Sequence, residues 1–133
     1  MSNHLFLAYE SCRDRFDKPI TFDEFKTMLA DWECIPIYVK GECAGALMCK
    51  EHEIHACILP KYFNKWLSKK VWNTVFKERL SKYGYLTTGV IANNEIGKRF
   101  VERCGFKEYD RFANVVIYRL GGVLWGYVNF LEN

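Results

Sequence analysis

Glu53, His55 and Cys57 alternate along the apolar run from Glu53 to Pro60. In a β-strand that spacing places a carboxylate, an imidazole and a thiol on one face. Either of the first two can take a proton from an amine, so Glu53 and His55 are candidate general bases. His55 with Cys57 also suggests a metal or a nucleophile pair. No further ligand follows at zinc-like spacing, and no metal is expected. The plain alternative is a packed strand face.

A second group, Asn64, Lys65, Trp66, Ser68, Lys69 and Lys70, surrounds the start of the longest helical pattern, Leu67 to Tyr83. A helix start exposes unpaired N–H groups and a partial positive charge, and lysines beside it can attract a phosphate. Lysines in a first turn also serve as a solvated face. Tyr109 and Tyr118, on the last two strand patterns, are candidate proton donors, although the chain has eight tyrosines and each can equally be packing. Lys69, Lys70, Lys77, Arg79, Lys82, Lys98, Arg99 and Arg103, with Tyr62 and Trp66 as stacking groups, outline a nucleic-acid surface. Glu78, Glu95 and Glu102 break up that field.

At 133 residues, half of them hydrophobic and 17% aromatic, the chain forms one globular domain with a real core and is not a disordered linker. A formal charge of +3 is too mild to imply nucleic acid by itself. Six cysteines without a C-x-x-C pair, behind an N-terminus lacking a signal pattern, read as reduced thiols in a cytoplasmic protein. No apolar run reaches the roughly 20 residues that cross a bilayer, so no membrane insertion is expected.

Leu5, Phe6, Tyr9 and Cys12 predict a first helix over 3–13, with a strand as the alternative for residues 5–9. Asp14 to Pro19 is a polar connector. Thr21 and Glu24 form a capping box opening a helix from Phe22 to about Trp32 that buries Phe22, Phe25, Met28 and Leu29. The period then becomes two. Ile35–Val39 and Cys43–Cys49 make a hairpin turning at Gly41, and Glu53–Pro60 adds a third strand. After the long helix, stopped by Gly84, come a strand Tyr85–Ile91, a helix capped by an Asn with Ile96, Phe100 and Cys104 one turn apart, and a hairpin of Phe106–Phe112 with Val115–Leu120. The tail, 121–133, carries Trp125, Tyr127 and Phe130 and is too apolar for a solvated end. It packs on its own sheet or mediates self-association or binding of a protein partner.

Asn94, Gly97, Phe100, Gly105 and Phe106 fall in register with the pattern N-x-x-A-x-x-F-Y-x-x-x-G-F, and the chain thereby resembles the GNAT N-acetyltransferase superfamily. Gly41 and Gly45 are similar to the glycine pattern of that family's hairpin. The resemblance implies an α/β (α+β) fold: a mixed sheet of about six strands with helices on both faces and the first strand missing. It divides the domain into a helical part (1–33), a GNAT-like core (34–120) and the tail. It also implies acetyl-CoA, its pyrophosphate held at residues 64–69, and a site that includes Asn94.

Three departures bear on that implication. Phe63 stands where the family loop has Arg or Gln, and Trp66 and Ser68 stand where it has glycines, which should obstruct the pyrophosphate. Val101 replaces the usual proton-donating Tyr. The layout is also similar to small phage-encoded GNAT-like proteins of virion assembly or DNA ejection, whose place is the host cytoplasm or the virion. Two readings follow: a degenerate acetyl-CoA site in a binding or assembly protein, or an acyl-CoA-dependent N-acetyltransferase with an atypical loop.

Overall fold

The computed structural model describes residues 3–16 and 18–121. Expectations for 122–133, the tail as a packing or partner surface included, lie outside the described residues. Helices α1 (His4–Cys12) and α2 (Phe22–Met28) precede strands β1 (Glu33–Val39), β2 (Glu42–Lys50) and β3 (Glu53–Ile58). Next come α3 (Lys69–Val71), a π-helical turn (Trp72–Phe76), α4 (Lys77–Tyr83), β4 (Tyr85–Ile91), α5 (Glu95–Arg103), β5 (Lys107–Phe112) and β6 (Val115–Gly121). Hydrogen bonding orders the strands β1-β2-β3-β4-β6-β5 in one mixed sheet. Its parallel link, between β3 and β4, lies at Glu53 and Thr87, as a strand–helix–strand crossover requires. Among the described residues no strand precedes Glu33.

The chain forms two compact units. In the first, residues 1–50 with 54–72, the segment 3–13 is a helix rather than a strand, burying Ala8 and Cys12. Thr21 Oγ1 accepts from Glu24 N–H at 3.1 Å while Glu24 Oε1 accepts from Thr21 N–H at 2.9 Å, closing the capping box that starts α2. Helix α2 is shorter than its apolar pattern suggests. Leu29 N–H donates to both Phe25 O and Lys26 O, so the turn tightens there, and Met28, expected in the core, is 53% exposed.

The β1–β2 hairpin turns through Lys40 and Gly41, both at positive φ, and its register shifts between Ile37 and Tyr38. Gly45 lies across that bulge at φ +135°, and a Cβ there would meet Cys57 O at 2.2 Å and Ile58 Cα at 3.1 Å. Only glycine lets the β2 and β3 backbones come that close.

Among the described residues, the second unit comprises 51–53 with 73–121. Leu86, Val90, Val116 and Tyr118 form one buried face of its strands, and Val75, Phe76 and Phe106 are also buried. Asn94 Oδ1 accepts from Gly97 N–H at 3.0 Å and starts α5. A Cβ on Gly97 would lie 3.1 Å from Val90 Cγ1, so the close approach of α5 to β4 begins at Gly97. Ile96, predicted on the inward face, is 63% exposed because that face begins one residue round the helix.

Gly45→Ala should cost about 3 kcal/mol or more, read as a lower urea midpoint, because the added methyl meets backbone that cannot swing away. Gly41→Ala, with nothing within 4 Å, should cost only about 1 kcal/mol for its φ. Equal effects would show that the contact between β2 and β3 is looser than drawn.

Candidate functional site

The three residues that alternate on β3 divide by environment. His55 stacks against Trp32 with centroids 5.6 Å apart. Cys57 is buried in an apolar cluster with Ala8, Cys12, Phe25, Ala46 and Met48. Its hydrogen bond with Cys12, and then burial, push the Cys57 thiol well above the ordinary 9.0, while the same bond lowers Cys12. A thiol so held is a poor nucleophile. The His55–Cys57 part of the strand is therefore a packed face. Among the described residues no group of three or more His, Cys, Asp or Glu could hold a metal ion.

At the start of the long helical stretch, a 3₁₀ turn over Pro60–Tyr62 precedes Asn64 and Lys65, both exposed. Trp66 is 3% exposed, so its indole lies in the protein interior and not in the solvent before the helix. The helix begins at Lys69 rather than Leu67, because Ser68 Oγ accepts from Val71 N–H at 3.1 Å and caps it. Ser68, Lys69 and Lys70 are exposed around that first turn. Tyr62 is also buried, its hydroxyl donating to Glu42 Oε2 at 3.3 Å, so neither Tyr62 nor Trp66 offers a stacking face to a nucleic acid.

Glu53, Tyr109 and Tyr118 all belong to the second unit, on two different faces. Glu53 is in register with Thr87, Thr87 with Arg119, and Arg119 with Lys107. The pleat sends these four side chains to one face. Arg119 lies 4.3 Å over the Tyr85 ring and 4.9 Å from the Tyr109 centroid, and His52 stacks on Tyr85 at 4.5 Å. His52 Nδ1 is 3.0 Å from Thr87 Oγ1. Tyr118 points to the buried face, where its hydroxyl donates to Glu102 Oε1 at 3.1 Å. Burial, then the Glu102 carboxylate, raise its pKa and keep the phenol protonated. That hydroxyl thus reaches the residue next to Val101, where the resembling family carries its own Tyr. Asn94 uses its side chain as the α5 cap.

The sequence reading missed His52, Tyr85 and Arg119. Arg119 had a visible signal: a cation at an alternating position inside the apolar run from Val115 to Leu120. His52 had none, because it reaches Thr87 and Tyr85 from a turn.

No family model matches the chain, and comparison with curated proteins finds no match. Solved structures do match in fold. An N-acetyltransferase from Staphylococcus aureus is 16% identical, with a TM-score of 0.64, covering 88% of this chain and 92% of its own. A GNAT-family acetyltransferase from Bacillus anthracis is 18% identical at TM-score 0.62, covering 86% of each chain. A ribosomal-protein-alanine N-acetyltransferase from Brucella melitensis is 10% identical at TM-score 0.64, covering 88% and 92%. The chain has the fold of GNAT acetyltransferases.

Since folding raises the Tyr118 pKa, the stability it contributes is whole below pH 10.0 and is lost as pH climbs through the higher folded value. Tyr118→Phe should cost about 1 kcal/mol at neutral pH. It should also flatten the alkaline fall in stability followed by urea titration. An unchanged alkaline limb would mean that the phenol titrates as it does in the unfolded chain.

Proposed function

We propose that the chain is an acyl-CoA-dependent N-acyltransferase with an atypical cofactor loop. The observation that carries the reading is the match, over nearly the whole chain, to the fold of enzymes described as N-acetyltransferases. The start of α3 supports it. With Trp66 turned inward, the obstacle inferred from sequence does not stand in front of the helix, and exposed Lys65, Lys69 and Lys70 line the turn that would hold a pyrophosphate. Cations and a helix N-terminus suit that diphosphate, although Ser68 already occupies one backbone donor.

Bound acetyl-CoA would supply an acetyl group activated as a thioester. Of this chain's residues, Glu53 is the base for the acceptor amine, taking the proton as nitrogen bonds the acetyl carbon. Tyr118 does not serve the departing thiolate, which takes its proton from water as the C–S bond breaks, because the Tyr118 hydroxyl is buried, donates to Glu102 and lies on the opposite face from Glu53.

A second reading, a partner-binding protein of the virion-assembly type acting through its tail, is favoured by the Ser68 cap and by Val101. Calorimetric titration of acetyl-CoA separates the two. Binding in the micromolar range, about 8 kcal/mol, weakened roughly tenfold in Lys69→Ala, Lys70→Ala, supports the transferase. No binding by the unmodified chain would overturn it in favour of the second reading.

A further inference from the structure

Arg119 interrupts an apolar strand, and among the described residues its guanidinium meets aromatic rings rather than a carboxylate. Tyr85 and Tyr109 offer ring faces at 4.3 and 4.9 Å, which hold it through cation–π attraction. Nε is buried and, among the described residues, has no hydrogen-bond partner. Tyr85 is itself held by His52, whose ring nitrogen reaches the Thr87 hydroxyl. Lys107, the next residue in the row, adds a second cation. Glu102 and Glu108 act on Tyr118, on the opposite face. A half-buried guanidinium over two rings, with a lysine at the next register position and, among the described residues, rings rather than carboxylates against it, suits a planar oxyanion bound two N–H groups at a time.

At the other end of the row stands Glu53, separated from Arg119 by Thr87 alone. Two strand spacings put their backbones about 10 Å apart. We propose that Arg119, positioned by Tyr85 and Tyr109, binds the carboxylate of the acceptor and directs an amine about 10 Å away toward Glu53, so that the acceptor is a zwitterion of short-peptide length. The proposal rests on the transferase reading for the role of the amine. The carboxylate clamp itself does not need acyl transfer.

Triglycine spans about 10 Å when extended, and triglycinamide has the same amine without the carboxylate. The Arg119 Nε–H resonance of the ¹⁵N-labelled full chain should shift with triglycine and not with triglycinamide. In an acetyl-CoA assay, Arg119→Met should raise the KM for triglycine about tenfold and leave that for triglycinamide unchanged, with Arg119→Lys in between. Equal shifts, or equal KM values in the unmodified chain, would overturn the clamp even if both peptides are acetylated. A triglycine shift without acetylation of any amine would keep the clamp and remove the transferase reading. A chain that responds to inorganic phosphate but not to triglycine would overturn the carboxylate assignment.

Discussion

Three residues where the turn enters β3 tie the candidate chemistry together. Thr87 N–H donates to His52 O at 2.9 Å, and Arg79 Nη1 donates to Glu51 O at 2.9 Å. These bonds make Glu51–Glu53 part of the second unit, although the rest of β3 belongs to the first. Without them Glu53 would have no fixed register with Thr87, and the row that continues to Arg119 and Lys107 would lack its acidic end. Each bond is modest, worth about 1 kcal/mol net. Their effect on position is larger, because one residue of slip would move Glu53 to the other face.

The same row shows how an apolar strand accommodates a charge. Burying part of a guanidinium is costly unless its charge is met, and here it is met by π faces rather than by a carboxylate. The rings leave Nε without a hydrogen-bond partner among the described residues. Tyr118 is the converse case one residue earlier. Its hydroxyl is satisfied by Glu102, and the carboxylate reinforces the neutral phenol. Neighbouring residues on one strand thus differ: Arg119 meets two rings and, among the described residues, its Nε has no hydrogen-bond partner, whereas Tyr118 stays neutral with its donor engaged.

Much of the fold was legible because the local rules agreed with one another. The Thr21–Glu24 box, the glycine at residue 41, Gly84 and the Asn94–Gly97 cap each fix an element end by backbone chemistry that needs no partner. What was not legible depended on packing. Periodicity kept α2 going through Met28 to Trp32, but the chain tightens at Leu29. It also could not tell that Trp66 turns inward while its neighbours Lys65 and Ser68 face solvent. The candidate residues follow the same division. The alternation of Glu53, His55 and Cys57 was readable, yet only tertiary structure separates the two packed against Trp32 and Cys12 from the one in register with Thr87.

The start of the long helical stretch has the largest consequence for mechanism. A glycine-rich loop binds a diphosphate through backbone N–H groups, short directional donors that retain their strength in salt. This chain has no glycine between Gly45 and Gly84, and Ser68 has already taken the Val71 donor. What remains is Lys65, Lys69 and Lys70 on long exposed side chains, together with the partial charge of the helix end. Such charges act at a distance and are screened within about 8 Å at physiological ionic strength. Recognition of that kind fixes a phosphate less closely than a backbone cradle does. Under the proposed transferase reading, the precision of acyl transfer would rest on the acceptor side, with Arg119 beside two rings and Glu53 in the β3–β4 register.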